Sequence, residues 1–307
     1  MDRILLALAA RGGVASARQL ASAGCTRHFL ELAVRDGLVL RLRRGWFALP
    51  SVSIDERRAV AAGGVLTCAS ALASRKVWVL AERELHVAVA PNAVRSPARG
   101  VRLHWSEWPG CGRESSSRDG IRASILHAVE CLPEEEAVMA LDSVVDKGLL
   151  PYDDLIELSS LASAGRRRVF DLVVRGCQSG LETRIRLAGM RLRARVRAQV
   201  PVEGVGSVDN VIGDCLAVET DGRAFHTGSV QLEEDYRRTL ALQARGFVVV
   251  RLSSRQVLHE WPATEATLAR LVRRRVHLWT PGQRQRLHNE GWEPGTLKYS
   301  AGSANQP

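Results

Sequence analysis

A multidomain chain of α+β and α/β character is predicted by three observations. At 307 residues the chain exceeds one ordinary core. Its first fifty residues hold three short apolar stripes and then an alternating basic segment. From Gly180 onward the pattern changes to helix, three strands, helix, strand, helix. Hydrophobic content of 46% and charged content of 25% are those of a globular protein. The expected divisions are 1–53, 54–176, 177–278 and 279–307.

In the opening segment, Ile4, Leu5, Leu8 and Ala9 form the stripe of a first helix, ended by Gly12-Gly13. Ser16 and Gln19 make a capping box for a second helix. Thr26 caps a third, which carries Arg27, His28, Leu30, Leu32, Val34 and Arg35 and stops at Asp36-Gly37. Leu38 to Leu49 alternates as a hairpin that turns at Arg44-Gly45. Three helices and a basic hairpin predict a winged helix-turn-helix, with Arg27 on the helix that enters the major groove and Arg41, Arg43 and Arg44 along phosphates. A winged helix that binds protein instead is the alternative.

Charge points the same way. The net charge is +10, and lysine is confined to Lys76, Lys147 and Lys298, so nearly all the excess is arginine. Arginine is the better fork-shaped donor to phosphate, and nucleic acid is the expected partner, double-stranded DNA first. An arginine bias from base composition is the bland explanation. No apolar run of about eighteen residues exists, which argues against a membrane helix. Met1-Asp2-Arg3-Ile4-Leu5 has no secretory pattern, so a cytoplasmic location is expected.

The middle region, 54–176, reads as a small mixed domain. A small-residue helix is expected over 66–74, strands at Leu85–Ala90 and Val101–Trp105, and a helix after Pro133 with Glu134, Glu135 and Glu136 in its first turn. His86 and His104 lie on those strands and, without acids placed beside them, read as packed or surface residues. The six cysteines (25, 68, 111, 131, 177 and 215) contain no C-x-x-C pair, so buried free thiols are expected, and neither structural zinc nor a disulfide framework is.

The C-terminal part concentrates acids. Strands are expected at about 196–202, 205–212 and 215–221, with Asp209 ending one strand and Glu219 and Asp221 on one face of the next. Carboxylates that converge at strand ends repel one another unless a hard cation neutralises them. An amphipathic helix precedes them from Leu181 to Arg193, and a helix near 232–245, the strand Phe247–Leu252 and a last helix follow. The final residues, with Trp279 and Trp292 as large anchors, read as a peripheral or partly disordered tail.

This order, with Gly180-Leu181-Glu182, Val208-Asp209, Ala217-Val218-Glu219-Thr220-Asp221-Gly222, His226, Asp235-Tyr236-Arg237-Arg238 and Gly246 to Arg251, resembles the PD-(D/E)xK nuclease superfamily, and within it the Vsr-like endonuclease domains. Residues 1–150 resemble AbiEi-type antitoxins. The first resemblance implies a restriction-endonuclease-like mixed sheet flanked by helices. It implies a metal-dependent DNA endonuclease acting in repair or in defence, with Mg2+ or Mn2+ on Asp209 and Glu219. Glu182 would be an auxiliary ligand, His226 an acid/base, Asp235 and Arg238 site-lining, and Arg184 and Arg251 phosphate contacts. Asp221 stands where many members of the superfamily carry lysine. That departure supports the alternative, an antitoxin-like repressor with an inactive nuclease fold. Glu182 as a simple first-turn acid, Asp221-Gly222 as a plain turn and His226 as a surface histidine also remain open.

Overall fold

The computed structural model describes residues 2–80, 84–93, 99–221 and 229–290. It is a mixed α/β structure with three small sheets among those residues, divided into two compact units, Met1–Val173 and Val174–Pro307. None of its described helices is long and apolar enough to cross a membrane.

The first unit opens with α1 (Asp2–Ala9), β1 (Val14–Ser16), α2 (Ala17–Ser22), α3 (Arg27–Arg35), β2 (Leu40–Arg43) and β3 (Trp46–Ala48). Local chemistry sets these bounds. The Ser16 hydroxyl accepts the Gln19 N–H, and the Gln19 side chain accepts the Ser16 N–H, which is the expected capping box. Thr26 caps α3 by accepting the Phe29 N–H. Gly45, at φ +76°, lets the chain reverse between β2 and β3, where a side chain would be strained. Ile4, Leu8, Leu20, Leu30, Val39 and Phe47 close the core. The sequence reading missed β1. Only three residues long, it pairs antiparallel with β3, giving the order β1-β3-β2.

Beyond it come α4 (Ile54–Ala61), β4 (Val65–Leu66), α5 (Cys68–Ser74), β5 (Leu85–Ala88), β6 (Val101–His104), α6 (Ile121–Cys131), α7 (Glu134–Asp146), α8 (Tyr152–Glu157) and α9 (Arg168–Asp171). Val14 and Ala48 share an apolar cluster with Val52 and Val60, so the opening segment and the middle region are continuous through α4. β5 pairs antiparallel with β4 and parallel with β6.

The second unit runs α10 (Gly180–Arg191), β7 (Val196–Val202), β8 (Gly206–Ile212), β9 (Leu216–Asp221), α11 (Ser229–Ala244), β10 (Val248–Ser253), α12 (Ser254–Leu258), α13 (Trp261–Arg273) and α14 (Pro281–Asn289). The sheet order is β10-β9-β8-β7; only the β9–β10 pair is parallel. From α10 to β10 this is the expected element order; α12 was not anticipated, and two placements differ. Asp209 lies in the middle of β8 rather than at its end, because the apolar run continues through Val211 and Ile212 to a turn at Gly213.

The second difference is the tail. Residues 279–289, expected to be peripheral, complete the core: Trp279 and Leu287 are buried with Val211, Ala217, Leu242 and Phe247. Gly213 makes this docking possible. A Cβ there would lie 2.3 Å from the His277 carbonyl oxygen. The Asp214 carboxylate then accepts the Trp279 N–H and the Arg284 guanidinium, and the Trp279 indole donates to the Gly246 carbonyl. Residues 291–307, including Trp292, lie outside the described residues. Replacing Trp279 by Ala is expected to cost about 3–5 kcal/mol, the range for a buried aromatic. Urea denaturation of the full chain measures it; an unchanged midpoint would return 279–289 to the periphery.

Candidate functional site

Two groups of predicted residues are on view, one in each unit. In the first, α3 turns Arg27, His28 and Phe29 outward, all exposed, with Arg27 paired to Glu31 at 2.8 Å. The alternation of β2 buries Leu40 and Leu42 partly and exposes Arg41 and Arg43. Arg44 is exposed at the turn. Arg43 lies over the Trp46 ring at 5.2 Å, and partial burial lowers its pKa. The guanidiniums of Arg41 and Arg44 therefore face solvent, and that of Arg43 is half-committed to an aromatic face.

In the second unit the carboxylates do not converge as their spacing predicts. Val208 and Val211, an odd number of steps apart, join one apolar cluster, so strand alternation slips across Asp209 and Asn210. Gln199 on the neighbouring strand takes φ +47°, and the β7–β8 register skips it. Asp209 is thereby turned to its neighbours. Its Oδ2 accepts the Thr220 N–H at 2.8 Å and the Thr220 hydroxyl at 3.1 Å. Its Oδ1 accepts the Gln199 amide at 3.4 Å.

Glu219 goes elsewhere. It is buried, and its two oxygens take two guanidiniums, Arg238 at 3.0 Å and Arg251 at 3.2 Å. Arg251 stands beside Glu219 because β9 and β10 run parallel in register. It also meets the Asp235 carboxylate at 3.6 Å and donates to the Asp235 carbonyl. Arg238 pairs with Glu219, and Asp235 pairs with Arg251 rather than with Arg238.

Glu182 joins Asp209 through Gln199, whose amide donates to it at 2.9 Å. Glu182 also accepts the Gln178 N–H and the Ser179 hydroxyl at the start of α10. It therefore combines the first-turn role with a place beside Asp209. Burial, with a smaller contribution from the Asp209 charge, raises its carboxyl above the ordinary 4.5 against the pull of these hydrogen bonds. Asp221 is exposed at the end of β9. His226 lies outside the described residues.

The six arginines at 184, 186, 191, 193, 195 and 197, whose spacing reads as either a phosphate-binding or a solvated face, divide evenly, and Arg184, Arg186 and Arg197 are at least partly buried. Arg184 stacks on Trp261 at 4.6 Å and donates to the Val257 carbonyl. Arg186 is buried, Arg191 pairs with Glu265 and Arg197 donates to Gly213. Of the row from Arg184 to Arg197, Arg191, Arg193 and Arg195 are exposed. The row fails as a single face because α10 ends at Arg191 and the chain then turns into β7.

Sequence reasoning passed over one group. Cys68, His86, His104 and Cys131 bring one ligand atom each to within 4.8 Å of one another. His86 Nδ1 lies 3.0 Å from His104 Nε2 and 3.8 Å from Cys131 Sγ. Scattered along the chain, Cys68 and Cys131 are thus close in space, Cys68 buried and Cys131 partly exposed. The available signal was that both histidines occupy strands. In the register His104 is the partner of Ala88, so it shares a face with His86, two residues along.

Two measurements test this geometry. Replacing both Arg238 and Arg251 by Met is expected to destabilise the chain by about 3 kcal/mol, the low end for an orphaned buried charge because each arginine keeps some water. Adding Glu219→Gln should recover most of that loss; no recovery would mean that Glu219 is not the group being neutralised. For Glu182 the raised carboxyl stabilises the fold fully below pH 4.5, and that contribution disappears as pH rises through the folded value. Glu182→Gln is expected to flatten the pH–stability curve just above 4.5; a curve parallel to the parent would contradict this.

Comparison with known proteins touches the opening segment. Residues 2–50, which span α1 to β3, match the family model described as "Transcriptional regulator, AbiEi antitoxin". No curated protein matches the chain.

Proposed function

We propose that the chain is a DNA-binding transcriptional regulator whose first fifty residues are a winged helix-turn-helix. One observation carries this reading. Arg27 on α3 and Arg41, Arg43 and Arg44 on the hairpin are exposed on the segment that matches the regulator family model. In a winged helix α3 would read the major groove and the hairpin would follow the phosphates. A net charge of +10 favours the encounter with a polyanion.

The second reading is a metal-dependent DNA endonuclease, supported by the element order of the second unit. The donor atoms suit a magnesium or manganese ion poorly at Asp209 and Glu219. Hard cations need open carboxylate oxygens. Both oxygens of Glu219 take guanidiniums, and Oδ2 of Asp209 takes two donors from Thr220. The feature that favours cleavage is the approach of Glu182 and Asp209 at the Gln199 amide. On this proposal the nuclease-like sheet is a scaffold, and its buried acids serve the fold.

The experiment separates the two. Duplex binding is followed by fluorescence anisotropy across a salt series for the parent chain and for Arg43→Ala with Arg44→Ala. The double variant should bind more weakly, and its log–log salt slope should fall by about 2, close to 0.9 for each phosphate that is no longer neutralised. An unchanged slope would rule out a hairpin contact. The same duplexes, with supercoiled, mismatched and single-stranded DNA, are then incubated with Mg2+, Mn2+ or chelator. Binding without cutting supports the regulator. Metal-dependent cutting that Asp209→Ala or Glu219→Ala abolishes would transfer the function to the endonuclease.

A further inference from the structure

We propose that Cys68, His86, His104 and Cys131 hold a zinc ion in the first unit. The site stands apart from the DNA-binding reading and from the acids of the second unit. Four elements deliver the ligands: Cys68 starts α5, His86 is in β5, His104 ends β6 and Cys131 ends α6. The chain places them for ordinary reasons. The Thr67 N–H donates to the His86 carbonyl, which sets Cys68 beside His86. The parallel β5–β6 register puts the two imidazoles on one face, and they stack with ring centroids 5.2 Å apart.

The donors select the metal. Two thiolates and two imidazoles are the tetrahedral set that zinc prefers. Magnesium and calcium take oxygen, and the iron–sulfur centre held by two cysteines and two histidines puts its thiolates and imidazoles on different irons, whereas here a nitrogen and a sulfur lie 3.8 Å apart. With Zn–S near 2.3 Å and Zn–N near 2.05 Å, a regular tetrahedron has edges of about 3.3 Å between nitrogens, about 3.6 Å between nitrogen and sulfur, and about 3.8 Å between sulfurs. The observed nitrogen–nitrogen and nitrogen–sulfur separations of 3.0 and 3.8 Å bracket the first two. The widest separation, 4.8 Å, needs to close by about 1 Å. A shared proton between the imidazoles explains one of these contacts but not the arrival of two thiols at the same point.

The surroundings fit a closed site. Arg102 Nη1 lies 3.3 Å from Cys131 Sγ, where it would donate to a thiolate and offset its charge. His127 packs edge-on against His104, and Trp108 against His127, both at 4.8 Å. Cys68 is wholly buried and takes φ +50°, a backbone conformation that the surrounding structure must impose. Four protein ligands leave no open position, so the ion is structural rather than catalytic. It ties α5 and α6 to a sheet whose first strand, β4, is only two residues long. A sheet this small gains more from a metal staple than a large one does.

The test uses the whole chain, purified without chelator. Metal analysis should find about one zinc per chain, and replacement by Co2+ should give the intense visible bands of tetrahedral cobalt with a thiolate charge-transfer band. Cys131→Ser and His104→Ala should each lose that spectrum and most of the zinc, while Asp209→Ala keeps both. A strong chelator should lower the melting temperature of the parent chain. If a cysteine variant fails to fold, the cobalt spectrum of the parent still decides. Substoichiometric zinc, a weak octahedral cobalt spectrum, metal that survives both substitutions, or a Cys68–Cys131 disulfide in place of metal would overturn the proposal.

Discussion

A carboxylate buried inside a sheet must be neutralised, and the second unit is arranged around that requirement at Glu219. Its neighbours Val218 and Ala217 are fully buried, so the strand cannot withdraw the charge to water. Arg238 reaches it from α11 and Arg251 from β10. Asp235 then shares Arg251 and balances the extra positive charge. The result is a four-membered network spanning a helix and two strands. Such networks are costly to break and add little net stability, but they hold register, because a one-residue slip would strand every member.

The same network bears on chemistry. An acid can serve as a metal ligand only while its oxygens are open to the ion. Two guanidiniums on Glu219 and the Thr220 donors on Asp209 fill those positions with protein. Gln199 does something related between Glu182 and Asp209: a neutral amide donor sits between two acids. Acids at the expected positions in the chain thus take part in the cohesion of the sheet. The first unit offers the opposite case. There, residues that look unrelated in sequence bring two thiols and two imidazoles within 4.8 Å of one another.

Much of the fold was legible because it rests on short-range rules. The Ser16–Gln19 box, the Thr26 cap, the stop at Asp36-Gly37 and the reversal at Gly45 each depend on residues at most three apart. The strands and helices from α10 to β10 were readable from periodicity alone. Of the elements not anticipated, which include α4 and α6, two segments depend on distant partners. β1 is three residues long and exists because β3 lies beside it. The 279–289 segment has little apolar pattern of its own; Trp279 and Leu287 matter because Gly213 leaves room for the chain to approach.

What the sequence determined by itself is therefore the three opening helices and hairpin, the element order from α10 to β10, the basic character of the opening segment and which residue types are at hand. Those follow from local propensity, periodicity and net charge, which act along the chain. Only the tertiary structure decided where side-chain charge and lone pairs point. A slip in alternation turned Asp209 toward Thr220 and Gln199, and a parallel register brought Arg251 to Glu219. Two strands and two helices gathered Cys68, His86, His104 and Cys131. Strand pairing and helix packing set these directions, and both join residues far apart in the chain, where spacing carries no information.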